Sequence, residues 1–115
     1  RLDEELTKWD KTGKPVMFTE YGTDTLPGLT RLPAIQWTEN YQEEYLEGYH
    51  KIFDKHDCIM GEQIWNFADF QTTEGIIRVD GNKKGIFTRE RNPKHVAFGL
   101  KKRWDKLPVN YKGNK

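Results

Sequence analysis

Two short apolar runs constrain what this chain can fold into more than anything else in it. Residues 15–19, Pro-Val-Met-Phe-Thr, and residues 58–65, Cys-Ile-Met-Gly-Glu-Gln-Ile-Trp, each read as a buried strand, with an amphipathic helical pattern between them. Strand, helix, strand in that order implies a right-handed crossover and parallel pairing. The first run closes on Glu20-Tyr21-Gly22. A carboxylate at the last residue of an apolar strand costs desolvation energy, so it needs a partner or a purpose. In parallel α/β folds, active sites are assembled at the C-terminal strand ends. On these residues alone, a partly exposed strand-end glutamate is the simpler explanation.

The rest of the chain alternates with these runs. Leu2, Leu6 and Trp9 at helical spacing predict a helix over 2–10 that stops near Gly13. From Tyr21 to Trp37 runs a loop with Pro27, Gly28 and Pro33, longer than a usual connection and so expected to be functional or disordered. Thr38 reads as an N-cap, with Glu39 in the first turn, where it complements the helix dipole. Tyr41, Tyr45, Tyr49 and Ile52-Phe53 then mark an amphipathic helix ending near Lys55. At that spacing the tyrosines read as packing surface rather than a stacking platform. Beyond Trp65 an irregular segment runs to about Glu90. Asn92 as N-cap and Pro93 at the first helical position predict a final helix with Val96, Ala97, Leu100 and Trp104 on its apolar face. Pro108 is its expected stop, and residues 109–115 read as a frayed tail.

Two parallel strands cannot stand alone, because a parallel sheet must be covered on both faces. A complete (β/α)₈ barrel takes about 250 residues, and this chain has 115. The expectation is an α/β fragment: the C-terminal portion of a TIM barrel, about its last two βα units, over residues 1–107, with 108–115 as a tail. A formal charge of +1 supplies no global field, which argues against nucleic acid and anionic membranes as partners. Four Trp, five Tyr and six Phe in a chain with mean hydropathy −0.93 argue against disorder and suit a polar, ring-shaped ligand. Cys58, the single cysteine, reads as a small buried hydrophobe. With no Asn-x-Ser/Thr sequon and no leader-like opening, the expected location is cytoplasmic.

Three longer motifs carry a resemblance. They are Thr19-Glu20-Tyr21-Gly22, then Gly61-Glu62-Gln63-Ile64-Trp65-Asn66-Phe67-Ala68-Asp69-Phe70, then Gly81-Asn82-Lys83-Lys84-Gly85-Ile86-Phe87-Thr88-Arg89. In order and over most of the chain, they resemble the β-glucuronidases, retaining enzymes of glycoside hydrolase family 2. The resemblance implies strands seven and eight of the catalytic barrel. It implies Glu20 as the catalytic nucleophile and Trp65 as the tryptophan beside the sugar. It matches Asn82 and Lys84 to an Asn-x-Lys pair that recognises the glucuronate carboxylate, and Arg78 to an arginine near that group. The implied substrate is a β-D-glucuronide, the implied parent a homo-oligomer, and no cofactor or metal is called for.

The chemistry of these residue types is compatible with those roles. A retaining glycosidase pairs a nucleophilic carboxylate with an acid/base about 5–5.5 Å away. An indole offers an apolar face for the C–H side of a pyranose. An ammonium and an amide donor can select a uronic acid by charge-assisted hydrogen bonds. Taken alone, however, Asn-Lys-Lys in a glycine-flanked loop is a weak signal, and Asn82 can equally be a turn residue. Lys83 and Lys102 read as solvated charges. Glu62 reads as a satisfied polar residue inside the barrel, and Glu43, Glu44 and Glu47 as a solvated helix face. His50, His56 and His95 read as surface or packing residues. The family's acid/base lies in an Asn-Glu dipeptide that this chain lacks, so the chain alone is expected to be inactive. A non-catalytic acidic-sugar-binding or scaffold piece remains open at this point, as does a related β-galactosidase or β-galacturonidase.

Overall fold

The computed structural model describes residues 1–107. The Pro108 stop and the tail lie outside the described residues. Five elements follow one another: α1 (Leu2–Asp10), β1 (Val16–Tyr21), α2 (Glu39–Phe53), β2 (Ile59–Ile64) and α3 (His95–Asp105). The two strands pair in parallel, as the crossover requires. Their register sets Phe18 beside Glu62, Thr19 beside Gln63 and Tyr21 beside Ile64, skipping Glu20. Glu20 is thus the extra residue of a bulge, and its backbone takes the left-handed φ of 57°.

The helices cover one face of this sheet. Leu6 of α1, Leu46 and Phe53 of α2, and Val96 and Leu100 of α3 close over Tyr21, Cys58 and Ile59. Met17 and Met60, on the two strands, stay about half exposed. Burying this core is the main favourable term holding the elements together, at roughly 25 cal/mol per Å² of apolar surface. The tyrosine stripe packs as expected. Tyr49 stacks on Tyr21 with ring centroids 5.4 Å apart, and Tyr45 Oη donates to Tyr49 Oη over 3.2 Å.

Thr38 caps α2 by accepting from the Tyr41 N–H, as its position predicts. The loop from Tyr21 to Trp37 is ordered by its own ladder. Thr25 is fully buried and bridges to Trp37, and Leu26 N–H donates to Trp37 O over 2.9 Å.

The start of α3 differs from the expectation. Its N-cap is Lys94 rather than Asn92, and the first helical residue is His95. Asn92-Pro93 instead lies extended against Phe87 and Thr88, with Asn92 N–H donating to Thr88 Oγ1. Lys94 cannot cap by accepting, because its side chain is a donor. The helix end is satisfied from elsewhere: Glu39 Oε1 accepts from His95 N–H, while Glu39 Oε2 accepts from Gly28 N–H, both over 2.8 Å. One buried carboxylate therefore joins α2, the β1–α2 loop and the positive end of α3.

Glu62 is satisfied, but on the helix side of the sheet rather than inside a barrel. Arg103 grips both its oxygens over 2.9 Å, and Trp104 Nε1 donates to it. Burial alone would raise its pKa; Arg103 and Trp104 outweigh that and lower it. Lys83 also departs from the solvated reading: its side chain is 14% exposed and pairs with Asp80.

Candidate active site

The site forms at the C-terminal end of the two strands. Glu20 is exposed there, on the bulge, and the residue after it is fixed in the opposite direction. Tyr21 is 2% exposed, and its hydroxyl sits 2.9 Å from His50 Nε2 on α2. Burial, with Arg103 nearby, lowers the His50 pKa to about 4, against a smaller upward pull from Glu62. His50 is therefore neutral near pH 7, and burial holds the Tyr21 phenol protonated. This buried contact anchors the strand end from which Glu20 projects.

Gly22 follows because the chain must pass against the neighbouring strand end. A Cβ there would collide with the Trp65 carbonyl oxygen. Trp65 N–H in turn donates to Tyr21 O over 3.0 Å, placing Trp65 beside the Glu20–Tyr21 turn. Trp65 is 39% exposed, and its indole meets Phe70 edge to face, centroids 6.1 Å apart.

The third motif closes on the same end. Asn66 N–H donates to Lys84 O over 3.1 Å, and Asn82 exchanges two backbone hydrogen bonds with Phe70. Asn82 is 4% exposed, and its Oδ1 accepts from Lys84 N–H. That leaves the Nδ2 donors of Asn82 and the Lys84 ammonium as uncommitted groups among the described residues. Glu20, Trp65, Asn82 and Lys84 are thus linked through the backbone around two adjoining strand ends. Arg78 connects less directly. It stands on the exposed 76–79 excursion and lies 3.9 Å from Asp24, whose Oδ1 accepts from Lys83 N–H.

Hollows among the described residues differ in their relation to this arrangement. One of about 390 Å³, with Pro27, Phe70, Lys83 and Arg89 in its wall, opens beside the third motif. A larger one of about 510 Å³ runs between α2 and α3, and none of the candidate residues lines it. The candidate residues therefore stand at the strand ends and not in the larger hollow.

Sequence reasoning assigned no role to Asp69 or Lys94. Both are buried and bonded to each other over 2.9 Å. A signal was available: a lysine at a helix N-terminus opposes the helix dipole, so it needs another reason to be there.

Comparison with known proteins agrees with the motif reading. The profile of the glycosyl hydrolases family 2 TIM barrel domain matches residues 1–109. A β-glucuronidase of Paenibacillus borealis is 49% identical over 108 residues, covering 93% of this chain and 18% of that protein. The solved structure of Lactobacillus rhamnosus β-glucuronidase superposes with a TM-score of 0.93 at 57% identity, over 97% of this chain and 19% of that one. A structure of Ruminococcus gnavus β-glucuronidase in complex with D-glucuronic acid superposes at 0.86, with 54% identity over 89% of this chain and 18% of that one. The chain spans about a fifth of the length of these relatives. With its parallel strands, its strand-end glutamate and a family match over nearly its whole length, the chain belongs to the TIM barrel domain of the glycosyl hydrolases of family 2.

Proposed function

We propose that this chain supplies the nucleophile and the uronate-reading half of the active site of a retaining β-glucuronidase, as the last two βα units of its catalytic barrel. The observation that carries the reading is one juxtaposition: Glu20, Trp65 and the Asn82/Lys84 loop meet at adjoining strand ends in a chain of this family.

In this reading the Glu20 carboxylate attacks the anomeric carbon as the bond to the aglycone oxygen breaks. That oxygen takes a proton from a carboxylic acid that lies outside these residues. The glycosyl ester is then hydrolysed by water, activated by the same group as its conjugate base, with net retention. Trp65 offers its indole to the pyranose face, while Asn82 Nδ2 and Lys84 Nζ take the C6 carboxylate by charge-assisted hydrogen bonds. Arg78 reaches this loop through Asp24, which lies 3.9 Å from its guanidinium and accepts from Lys83 N–H. The substrate is a terminal β-D-glucuronide, and the rest of the barrel is an obligatory partner, so the isolated chain is inactive. The parent is a homo-oligomer.

The test is an intact mass of the complete enzyme after treatment with 2-deoxy-2-fluoro-glucuronyl fluoride. The expected result is one added fluoroglucuronyl unit mapped to Glu20. An unmodified, correctly folded enzyme would sink the reading.

A further inference from the structure

Lys83 to Ile86 form an irregular segment whose backbone polar groups are all committed to protein partners. Lys83 N–H donates to Asp24 Oδ1, and Lys83 O accepts from Thr25 N–H and Lys94 Nζ. Lys84 N–H donates to Asn82 Oδ1, and Lys84 O accepts from Asn66 N–H. Gly85 N–H donates to Asp69 Oδ1, and Gly85 O accepts from Gln42 Nε2. Ile86 N–H donates to Asn66 O and Phe67 O, and Ile86 O accepts from Lys94 N–H. Loops normally satisfy many such groups with water and keep their mobility. This one is held as firmly as a strand. Gly85 leaves no freedom either, since a Cβ there would meet Asp69 N, Ala68 C and Phe87 O at 2.5 Å or less.

Lys94 sits at the centre of this scaffold. Its side chain has no solvent exposure, and its ammonium has three acceptors: Asp69 Oδ1 at 2.9 Å, Lys83 O at 3.0 Å and Thr25 O at 3.1 Å. An ammonium has three donors, so the site is saturated. A buried ion pair is a poor device for stability alone, because an apolar pair of similar volume does as well or better. What it provides is geometry: three directed bonds joining the loops that follow β1 and β2 to the start of α3. Lys83 pairs with Asp80 and Lys94 with Asp69, yet no carboxylate among the described residues is in ion-pair reach of Lys84.

We infer that Lys94, with Asp69, is a specificity-positioning pair: it holds the Lys83–Ile86 backbone so that the Lys84 ammonium is preset for an anionic sugar group. This rests on the reading of Lys84 as the partner of the substrate carboxylate. Lys94 touches no substrate in this arrangement and acts only through the loop.

The experiment uses the complete enzyme and two inhibitors that differ in one carboxylate, uronic isofagomine and neutral isofagomine. The ratio of their inhibition constants isolates the contribution of the anion. Lys94→Met is expected to collapse that ratio by about tenfold or more while leaving the neutral inhibitor's constant nearly unchanged. Lys84→Ala is expected to do the same, and the double variant to be no worse than Lys84→Ala, because both changes remove one interaction. Additive losses, or equal weakening of both inhibitors by Lys94→Met, would overturn the inference. If Lys84→Ala itself leaves the ratio intact, the carboxylate reading of Lys84 falls and this inference falls with it. A collapse with Lys84→Ala and none with Lys94→Met overturns the inference alone. Asp69→Asn is a second variant that unpairs the ammonium and is expected to lower the ratio in the same direction. If both Lys94→Met and Asp69→Asn fail to fold where Lys84→Ala folds, the pair serves the fold and not specificity, and the inference is wrong.

Discussion

At the residue scale, the site depends on two adjacent backbone decisions. Glu20 adopts a left-handed φ of 57°, a conformation that costs a non-glycine residue about 1 kcal/mol or more. The cost is met by Tyr21, buried against Tyr49, Phe53 and His50, which fixes the strand on the far side of the bulge. Glu20→Gln keeps that backbone and nearly the same volume while removing the carboxylate proposed as the nucleophile. In the complete enzyme it should abolish turnover and leave the thermal midpoint unchanged; residual wild-type turnover would assign the chemistry elsewhere. Gly22 makes the complementary point. Because a Cβ would run into the Trp65 carbonyl, Gly22→Ala must push the two strand ends apart. Strain of that kind costs about 1–3 kcal/mol. The change should therefore lower both melting temperature and turnover, unlike Glu20→Gln.

At the scale of elements, Glu39 is the joint. Its two oxygens receive the N–H groups of Gly28 and His95. Glu39→Ala strands those donors and removes the negative charge at the start of α3, a loss of about 2 kcal/mol. It should be visible as unfolding of the barrel domain at lower urea; an unchanged midpoint would show that water replaces both contacts. This joint also shows what the sequence can and cannot tell. Thr38 as a cap, the α2 stripe and both strands follow from local spacing, and all are present. Asn92-Pro93 looks locally like a helix start, yet the helix begins at His95, because the cap comes from Glu39 on another element. The same limit hides Asp69 as the partner of Lys94. Their pairing spans 25 positions and depends on three loops meeting, which no local pattern encodes. Glu20, Trp65, Asn82 and Lys84 stand out as candidates only because they sit in long motifs; their spacing alone carries little.

At the scale of the whole molecule, attachment of α1 should depend on pH. His56, in the turn between α2 and β2, is buried with Nδ1 on Asp10 and Nε2 on Asp3, 2.7 Å away. Both ring nitrogens donate only when the imidazole is protonated. The hydrogen bond to Asp10 is the main influence, and it outweighs burial to raise the His56 pKa above 6.5. The same bond lowers Asp10 to about 2, with Cys58 adding to it, and the separate bond from His56 Nε2 lowers Asp3. Lys55 also favours the ionised form of Asp3. The sign follows for each group. A raised histidine contributes stability that is complete below its unfolded value and is lost as pH rises through the folded value. The lowered carboxylates contribute above their unfolded value near 3.8 and lose it as pH falls toward about 2 for Asp10. Docking of α1 should therefore be firmest between about pH 4 and 6.5 and loosen on the alkaline side first to be reached in neutral buffers. Hydrogen exchange of the α1 amides, corrected for the intrinsic pH dependence of exchange, reads this directly. Protection should hold to about pH 6.5 and then decline, while core amides of β1 and β2 stay protected. His56→Gln should remove the pH dependence and leave α1 loosely docked throughout. Flat protection of α1 up to pH 9 in the wild-type protein would mean that Leu6 and its apolar neighbours hold the helix without help from the imidazolium.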